Sequence, residues 1–440
     1  MFFAYMFVDV LSPLKSMLEE NLGWSSENYG LFAGSEYFLN VFALFLIFAG
    51  VILDKIGVRA TAILSASIMV VGASIKFYAV TAAFSGTGLE MWLNSWWTSF
   101  PASAKLASLG FMIFGCGVEM AGITVSKGIV KWFNGKELAL AMGLEMAIAR
   151  LGVFAVFRIS PRIAGVLDGS SNALVDVSKP VMFILILLII GLISSLIYFF
   201  FDRKLEKQIG ERGEAPEEPF RMSDLVVLFT SKTFLIVAGL CVLYYSAIFP
   251  FQKFASNMLE CRLGISSTQA SDIFSYFPIG AMCLTPLLGA YLDRKGKGAS
   301  MLILGAIIMI GCHLVFAICP KEYFSLNVAY AAIILLGISF SLVPAALWPS
   351  VPKLVENRCL GSAYSVIFWI QNIGLMAFPM LIGWALTITN VGVSNPKDYN
   401  YTVPMLIFAS LGVLAALLGM WLKVEDKKKG YGLELPNIKK

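Results

Sequence analysis

Long apolar stretches recur from one end of this sequence to the other, and they limit the folds that the chain can adopt. Residues 180–201 and 403–422, for example, each form a run without a charged side chain. A helix needs about 20 apolar residues to cross the roughly 30 Å hydrocarbon core of a bilayer. Only 14% of the residues are charged and 58% are hydrophobic, whereas soluble proteins have about 25% charged residues. We therefore expect an all-α polytopic membrane protein, and soluble enzyme folds are excluded.

Twelve predicted transmembrane helices account for these stretches. The first is short, because only eight residues precede Asp9, so we expect that the opening turns of this helix are missing. The basic region and small-residue cleavage site of a signal peptide are not visible. The predicted spans are residues 1–18, 30–53, 60–83, 105–130, 136–160, 180–202, 233–258, 268–292, 299–319, 324–352, 360–388 and 403–422.

The distribution of lysine and arginine predicts how these helices are oriented. Short loops on the cytoplasmic side of a membrane carry an excess of both residues. If the loops after the second and eighth spans are cytoplasmic, that side has 21 of the 33 basic residues, the outer side has seven, and five lie inside spans. The net charge of +5 reflects this asymmetry and predicts no nucleic-acid partner. The short loops are typical of a bacterial inner membrane protein, with the motif loops, linker and C-terminus in the cytoplasm.

A polar segment divides the predicted helices into two sets of six. Residues 203–231 contain the run Glu-Arg-Gly-Glu-Ala-Pro-Glu-Glu-Pro, which predicts a cytoplasmic linker. We expect an N-terminal six-helix bundle over residues 1–202, a C-terminal six-helix bundle over residues 232–422 and a cytoplasmic tail over residues 423–440.

Both sets of helices carry the motif Gly-x-x-x-Asp-basic-x-Gly. It follows the second helix of each set, with its aspartate at Asp54 and Asp293, and a proline recurs at Pro13 and Pro250. The offsets, 239 and 237 residues, are nearly equal, so the two halves are predicted to be duplicates. The motif residues are Gly50, Asp54, Lys55, Gly57 and Arg59 in the first copy, and Gly289, Asp293, Arg294 and Gly296 in the second.

This motif has a physical use at the end of a helix. Glycine allows close helix contact, and the aspartate and basic side chains can pair with each other or with a neighbouring helix end. Such pairs predict a cytoplasmic latch that holds in one conformation and parts in another. The alternative is a charge cluster that only sets membrane orientation. A chain with two copies of this motif in equivalent loops resembles members of the major facilitator superfamily. The resemblance implies two pseudo-symmetric six-helix bundles.

Charged residues inside the predicted spans are functional candidates, because a charge within the bilayer is costly. They are Lys15, Lys127, Arg150, Arg158 and Lys253, with the acidic Asp9, Glu36, Glu119 and Glu145.

Glu119 and Arg150 are predicted to lie at one depth. Residues 132–136 form the turn between the fourth and fifth helices, and residues equally far from a hairpin turn are level with each other. The midpoint of the two positions falls between Asn134 and Gly135, and each residue is roughly 22 Å from the turn. A carboxylate and a guanidinium at one level can hold the ammonium and the carboxylate of a small zwitterion. The alternative is a permanent ion pair that braces the two helices.

Three further charged residues suggest a gate or a proton site. Lys127 and Glu145 lie a few turns nearer the cytoplasm, where they can form an inner gate or pair with each other. Glu36 and Glu145 are additional carboxylates that can carry a proton. A proton-coupled carrier of another organic anion or amino-acid-like solute, with Glu119 or Glu145 as the proton site, is therefore the alternative to facilitative transport.

Aromatic residues cluster in two helices of the C-terminal set. Tyr244 and Tyr245 precede Phe249-Pro250-Phe251, and the proline weakens the helix that contains them. Trp348-Pro349 has the same character. These residues predict the wall of a pocket or a bending gate, and ordinary aromatic packing is the alternative.

The sequence predicts neither an enzyme nor a cofactor. It has no metal-ligand spacing, and its single histidine, His313, rules out a His-based triad elsewhere. A membrane sensor or scaffold that binds a ligand without moving it is a different class of function. We expect no appended soluble domain through which such a protein would signal.

Several longer motifs resemble the lysosomal dipeptide uniporter family, and they occur in both halves. In the N-terminal half they are Trp132-Phe-x-Gly-Lys-Glu-Leu138 and Ala149-Arg150-Leu-Gly152. In the C-terminal half they are Tyr244-Tyr245 with Phe249-Pro250-Phe251, Ala346-Leu347-Trp348-Pro349, Leu360-Gly361-x-Ala363-Tyr364 and Gln371-Asn372-x-Gly374.

The resemblance implies a major facilitator fold and export of dipeptides by uniport, with a preference for cationic dipeptides. In that family a glutamate of the fourth helix and an arginine of the fifth helix engage the peptide termini, and Glu119 and Arg150 match these positions. The expected partners are a dipeptide-like small molecule and the lipid bilayer, and the oligomeric state stays open. We expect Glu119 to hold the substrate amino group, Arg150 its carboxylate, Tyr244, Tyr245 and Trp348 to form the walls, and Asn372 to face Arg150 from the other half.

Overall fold

The computed structural model describes residues 1–133, 138–165, 175–209, 222–355 and 360–436. Within these ranges the regular elements are helices, and no strand occurs. Nine of the described helical segments are long and apolar enough to cross a membrane. The prediction of an all-α protein is therefore confirmed for the described part of the chain.

The N-terminal half begins with a broken helix. α1 (Phe2–Val8) ends at Asp9, whose carboxylate accepts a hydrogen bond of 3.0 Å from Ser12 Oγ. Pro13 then lies in a 3₁₀ turn that precedes α2 (Lys15–Leu22). A proline and a side-chain acceptor near the backbone both disfavour a continuous helix. The predicted span 1–18 is therefore interrupted near its middle.

The other N-terminal elements include four helices of 27 residues or more. One of them, α5, contains the first motif, and Gly57 inside it has φ 77° and ψ 166°, a conformation that turns the chain and suits glycine. The second and third predicted spans meet at this residue. The elements are α3 (Ser26–Ser35), α4 (Phe38–Phe42), α5 (Phe45–Ala79), α6 (Gly88–Asn94), α7 (Ala102–Phe133), α8 (Leu138–Ala164) and α9 (Ser178–Ile209).

The C-terminal half has the same character. The predicted linker 203–231 contains the end of α9 and the whole of α10, and helix α18 continues beyond the predicted span 403–422. The elements are α10 (Met222–Thr230), α11 (Lys232–Leu263), α12 (Ser267–Phe274), α13 (Tyr276–Lys295), α14 (Gly298–Ile318), α15 (Leu326–Leu347), α16 (Val351–Leu354), α17 (Leu360–Thr389) and α18 (Thr402–Lys429).

Glycines bring α3 of the N-terminal half against α17 of the C-terminal half. A Cβ atom on Gly30 would lie 2.4 Å from the carbonyl oxygen of Pro379, and one on Gly383 would lie 2.4 Å from that of Ser26. Only residues without a side chain allow backbones to approach this closely, which is how helices associate where apolar burial gives little driving force. The two halves are therefore in direct contact along this pair of helices.

Polar contacts join the halves at the same end of the molecule, which we call the closed end. Arg162 of α8 bonds Asp272 of α12 at 2.6 Å, and Lys15 of α2 donates to Asn257 of α11 at 3.2 Å. Ser16 also donates to the buried Glu260 at 3.0 Å. The opposite end carries Asp54 and Asp293 and is called the motif end. These contacts decide which side of the bundle is sealed.

Candidate functional site

The contacts of α1 establish the depth of Glu119 and Arg150. The ring of Phe7 lies 4.6 Å from that of Phe114, and a Cβ atom on Gly122 would lie 4.0 Å from Met1, so α7 is antiparallel to α1. Glu119 is therefore level with the first residues of α1. A Cβ atom on Gly152 would lie 2.5 Å from the carbonyl oxygen of Phe2, so Arg150, two residues earlier, is also level with the start of α1. We call this level the central layer and define it by Glu119, Arg150, Tyr245 and Asn372.

Glu119 is contacted by the other half of the protein. Asn372 of α17 donates from Nδ2 to Glu119 Oε1 at 3.4 Å. Glu119 is half-buried, whereas Asn372 is only 2% exposed. The register of α17 against α7 therefore brings the Asn372 amide to the Glu119 carboxylate, and the expectation that Asn372 faces Arg150 stays a prediction.

Arg150 packs on aromatic rings of the C-terminal half. Its guanidinium carbon lies 5.3 Å from the ring centre of Phe249 and 5.0 Å from that of Phe340, within the range of cation–π attraction. Among the described residues it forms no ion pair with Glu119. The alternative of a permanent ion pair between the two is therefore wrong for this conformation. A guanidinium with its face on rings keeps its N–H edge available for a carboxylate.

An aromatic wall follows from these ring contacts. Tyr245 stacks on Phe249 with ring centres 5.5 Å apart, and its hydroxyl accepts a bond of 3.1 Å from Trp348 Nε1. Phe340 packs edge-on against Tyr245, and Phe368 stacks on Trp348 at 4.9 Å. The sequence patterns singled out Tyr245 and Trp348 but missed Phe340 and Phe368, whose places depend on how α15 and α17 pack.

Tyr244 does not belong to this wall. Its side chain is fully buried, and its hydroxyl donates to the carbonyl oxygen of Leu302 in α14. Consecutive helical residues point about 100° apart, so only one of the two tyrosines can face the central layer. The prediction that both line the site is corrected here.

Tyr5 of α1 is a member of the central layer that the sequence patterns missed. Its hydroxyl lies within electrostatic range of Arg150, Glu119, Glu145 and Glu36. A phenol hydroxyl can both donate and accept, so it can interact with either kind of charged group. No motif identifies this residue, because its position depends on how α1 packs against α8.

Glu36 lies toward the closed end from the central layer. Its Oε2 is 3.8 Å from Lys253 Nζ, and the same ammonium is 3.0 Å from Asp9 Oδ1. All three side chains are at most 6% exposed. We call Asp9, Glu36 and Lys253 the buried charge triad. It links α1 and the end of α3 to α11, so it joins the two halves.

The two residues suggested for an inner gate have separate surroundings. Lys127 Nζ lies 2.8 Å from Oδ1 of the motif residue Asp54, so Lys127 belongs with the first motif. Glu145 is half-buried and makes no ion pair within the described ranges, although it is within electrostatic range of Arg150. The suggested pair of Lys127 with Glu145 is therefore not formed.

The two motif copies are held in different ways. In the first, Arg59 approaches Asp202 at 3.7 Å, and Lys131 bonds the same buried carboxylate at 2.7 Å. Gly50 and Gly57 are open, since a Cβ atom on either would meet nothing within 4 Å, and Lys55 is exposed.

In the second copy, the C-terminal segment lies over the motif loop. Backbone N–H groups of Lys297 and Gly298 donate to the carbonyl oxygens of Glu434 and Leu433, at 3.0 and 3.1 Å. Gly296 is pressed against this segment, with no room for a Cβ atom, whereas one on Gly289 would meet nothing within 4 Å, and Arg294 is exposed.

Comparison with known proteins assigns the family. The Major Facilitator Superfamily model matches residues 1–258 and 254–435. The chain therefore belongs to the Major Facilitator Superfamily, and with its long apolar helices it is a multi-pass membrane protein.

Curated relatives are similar over most of the chain. The mouse protein named "Lysosomal dipeptide transporter MFSD1" is 28% identical, over 88% of this chain and 77% of its own length. The human protein of the same name is 26% identical with the same coverage. A protein of Bacillus subtilis (strain 168) named "Hexuronate transporter" is 23% identical over 72% of this chain and 76% of its own length. The predicted resemblance to the dipeptide uniporter family is confirmed.

Solved structures share the fold. The nucleoside transporter NupG has a TM-score of 0.69 and 15% identity, and the match covers 96% of each chain. A bacterial homolog of the human lysosomal transporter Spinster, in an inward-facing and unoccupied conformation, has a TM-score of 0.71 and 15% identity, covering 97% of this chain and 96% of that one. These relatives and neighbours are membrane transporters, and the chain is not an enzyme.

Proposed function

We propose that this protein is a secondary transporter that moves small zwitterionic solutes, dipeptides in particular, by facilitative alternating access. The observation that carries the proposal is that Glu119 and Arg150 are level, half-buried and not joined to each other. In a membrane protein it is costly to keep two opposite charges unpaired and only partly exposed to solvent. Such charged groups usually bind a ligand.

The chemistry of the central layer suits a zwitterion with a short apolar body. The carboxylate of Glu119 accepts from an ammonium group, and the guanidinium of Arg150 donates two parallel bonds to a carboxylate. Tyr245, Phe249 and Trp348 offer aromatic faces to the side chains. The printed names of the mammalian relatives point to dipeptides within this class.

The finer architecture follows from the same proposal. Twelve transmembrane helices form two pseudo-symmetric bundles over residues 1–202 and 232–422, joined by the linker 203–231 and followed by the tail 423–440. The motif end, the linker and the tail face the cytoplasm of a bacterium, and the chain lies in its inner membrane. The two motifs act as latches that close when the closed end opens.

The protein reconstituted in liposomes provides the test, with uptake measured for dipeptides, amino acids and sugars. We expect dipeptide counterflow without an imposed pH gradient. Arg150→Ala should reduce dipeptide uptake by about tenfold or more, since two charge-assisted hydrogen bonds are lost. Dipeptide transport that is unchanged in Arg150→Ala would contradict the proposed role.

Blocked substrates distinguish the roles of the two residues. We expect the wild-type protein to reject dipeptides with an acetylated amino terminus or an amidated carboxyl terminus. Glu119→Gln should no longer discriminate against acetylated dipeptides but should still reject amidated ones. Arg150→Ala should no longer discriminate against amidated dipeptides but should still reject acetylated ones. The opposite assignment of losses would reverse the orientation of the substrate.

A proton-coupled carrier is the second candidate, and one observation favours it. Among the described residues, the buried Oε2 atom of Glu36 has no hydrogen bond, and its nearest ammonium, 3.8 Å away on Lys253, lies closer to Asp9. Glu36 is also within electrostatic range of Glu119. A carboxylate in such surroundings can take up a proton during the cycle. Accumulation of substrate driven by a pH gradient alone, lost in Glu36→Gln, would establish this mechanism in place of uniport.

A further inference from the structure

Asn40 of α4 has a buried side chain without partners. It is 1% exposed, and neither its amide nitrogen nor its amide oxygen has a hydrogen bond to any part of the chain that the structure describes. A buried carboxamide offers two donors and an acceptor, and buried polar groups in folded proteins are nearly always bonded. Such a side chain in the interior therefore indicates a partner that the protein itself does not supply.

The position of Asn40 is the central layer. Glu36 lies one turn before Asn40, and Gly115 lies one turn before Glu119 on α7. A Cβ atom on Gly115 would be only 2.0 Å from the carbonyl oxygen of Glu36, so these two residues are level with each other. α4 and α7 run in the same direction, because Ser35 contacts Ser108 near the closed end and Asp54 contacts Lys127 at the motif end. Asn40 is therefore level with Glu119.

The contacts of α17 lead to the same level. Trp369 donates from Nε1 to the carbonyl oxygen of Val41 at 3.0 Å. Asn372, three residues later on α17, donates to Glu119. Asn40 thus lies where α4, α7 and α17 meet, at the level of the carboxylate that we assign to the substrate amino group.

We propose that the Asn40 carboxamide hydrogen-bonds the peptide group of a bound dipeptide. The inference rests on the proposed function, in which Glu119 and Arg150 hold the two termini. The atoms between those termini form one amide, with a carbonyl acceptor and an N–H donor. A carboxamide side chain complements both, since its nitrogen donates and its oxygen accepts. Asn40 is then the residue that distinguishes a dipeptide from other zwitterions of the same length.

A series of three ligands tests, on the wild-type protein, whether the site recognises the peptide group. Glycylglycine has the full amide, 5-aminolevulinate keeps a ketone but has no N–H, and 5-aminopentanoate has neither group at the same length. Binding is measured by inhibition of dipeptide uptake in liposomes. A site that hydrogen-bonds a substrate group rejects analogues without it, so we expect glycylglycine to bind best and 5-aminopentanoate worst, by about tenfold or more. Equal binding of the three would overturn the proposal.

The variant Asn40→Leu tests the residue itself. The preference for glycylglycine over 5-aminopentanoate should fall to nearly none, while 5-aminopentanoate binds about as well as before. Asn40→Ala should give the same loss of preference if the leucine variant does not fold. A preference that persists in the variant would overturn the inference without touching the proposed function, whereas wild-type protein that recognises no dipeptide would overturn both.

Thermal unfolding separates this role from a structural one. Asn40→Leu removes an unpaired buried group, so the empty protein should unfold at the same or a higher temperature. Asn257→Leu is the matched control, because the Asn257 amide accepts from Lys15 and Tyr401 and donates to Glu260 and the carbonyl oxygen of Pro396. That variant should unfold at a clearly lower temperature. If Asn40→Leu is destabilised like Asn257→Leu and keeps its ligand preference, Asn40 is held by trapped water and the proposal fails.

Discussion

The buried charge triad and the charged residues of the central layer differ in how their charges are satisfied. In the buried charge triad, Lys253 lies 3.0 Å from Asp9 and 3.8 Å from Glu36, and all three side chains are at most 6% exposed. In the central layer, Glu119 and Arg150 are half-buried and do not pair. Charges that satisfy each other hold helices together. Charges that do not satisfy each other are available to a ligand.

The difference has an energetic basis. Burying an ion is costly, and the cost is recovered only by close partners. In the triad the partners are built into α1, α3 and α11, so the protein gains a rigid link between its halves. In our proposal the partners of the central-layer charges come from the substrate. A ligand without those partners leaves the charges unpaired, so the cost of burying them becomes selectivity for the substrate.

The largest expected effect comes from breaking the triad. Lys253→Met removes the ammonium that contacts both buried carboxylates and leaves only the more distant Lys76 near them. Removing one partner of a buried pair costs about 3–5 kcal/mol. Chemical or thermal unfolding in detergent should show this loss. Adding Asp9→Asn and Glu36→Gln to the same chain should recover part of it, because no carboxylate is then left uncompensated, although the buried Lys76 loses both acidic neighbours. Wild-type stability in the single variant would mean that the triad does not hold the halves together.

The next effect concerns the central layer and should appear in function rather than stability. Arg150→Met should reduce dipeptide binding by about 1.5–3 kcal/mol, the usual value for hydrogen bonds to charged groups. Its free energy of unfolding should change by less than about 1 kcal/mol, since no ion pair is lost.

Arg158→Met is the matched control for this prediction on the same helix. Arg158 pairs with Asp272 at 3.0 Å and lies away from the central layer. This variant should lose stability and keep its affinity for dipeptides. If Arg150→Met unfolds more easily than Arg158→Met, the distinction between the two groups of charges is wrong.

Substitution in a partly exposed charge cluster at the closed end should reduce stability by less than breaking the triad and by more than Arg150→Met. Asp272, 20% exposed, bonds both Arg158 and Arg162. Asp272→Asn leaves two arginines facing each other, and we expect a loss of about 1–2 kcal/mol, less than for the triad because water screens the charges. Unfolding at low and high salt is the measurement. A loss that does not shrink at high salt would argue against screening.

The smallest effect is expected at the motif end. Asp54, 64% exposed, pairs with Lys127, 27% exposed. Pairs of this kind contribute about 0.2–1 kcal/mol, so Asp54→Asn should hardly change unfolding. A latch that parts during transport would still be revealed by altered uptake in this variant. Stability and uptake that are both unchanged would favour the alternative in which the motif only sets orientation.

Some of the site could be predicted from the sequence because it depends on local geometry. The sequence predicts a turn over residues 132–136, most of which lie outside the described residues, and from that turn it predicts equal depth for Glu119 and Arg150. The contact of Phe114 with α1 and that of Phe2 with α8 give both residues the same level. Helical geometry alone makes this possible, since the rise per residue is constant. The roles assigned to the two residues stay predictions.

Other features depended on packing between distant segments. Lys76 lies in the last turn of α5, yet it is fully buried, with its ammonium 4.0 Å from the ring centre of Phe111. Tyr244 and Tyr245 are adjacent in sequence and face different helices. Asn40 belongs to no motif. Each of these outcomes depends on how helices rotate about their own axes, which the periodicity of apolar residues leaves open when nearly every face is apolar.

The sequence by itself determined that this chain is a helical membrane protein of the Major Facilitator Superfamily, because apolar runs of membrane length and a duplicated motif leave few other folds. Tertiary structure alone decided which charges pair, since Lys253 meets Asp9 across 244 positions and Asn372 meets Glu119 across 253. Such partners are chosen by helix register and rotation in the packed bundle. That is why the buried charge triad, the aromatic wall and the unpartnered Asn40 emerged only from the folded molecule.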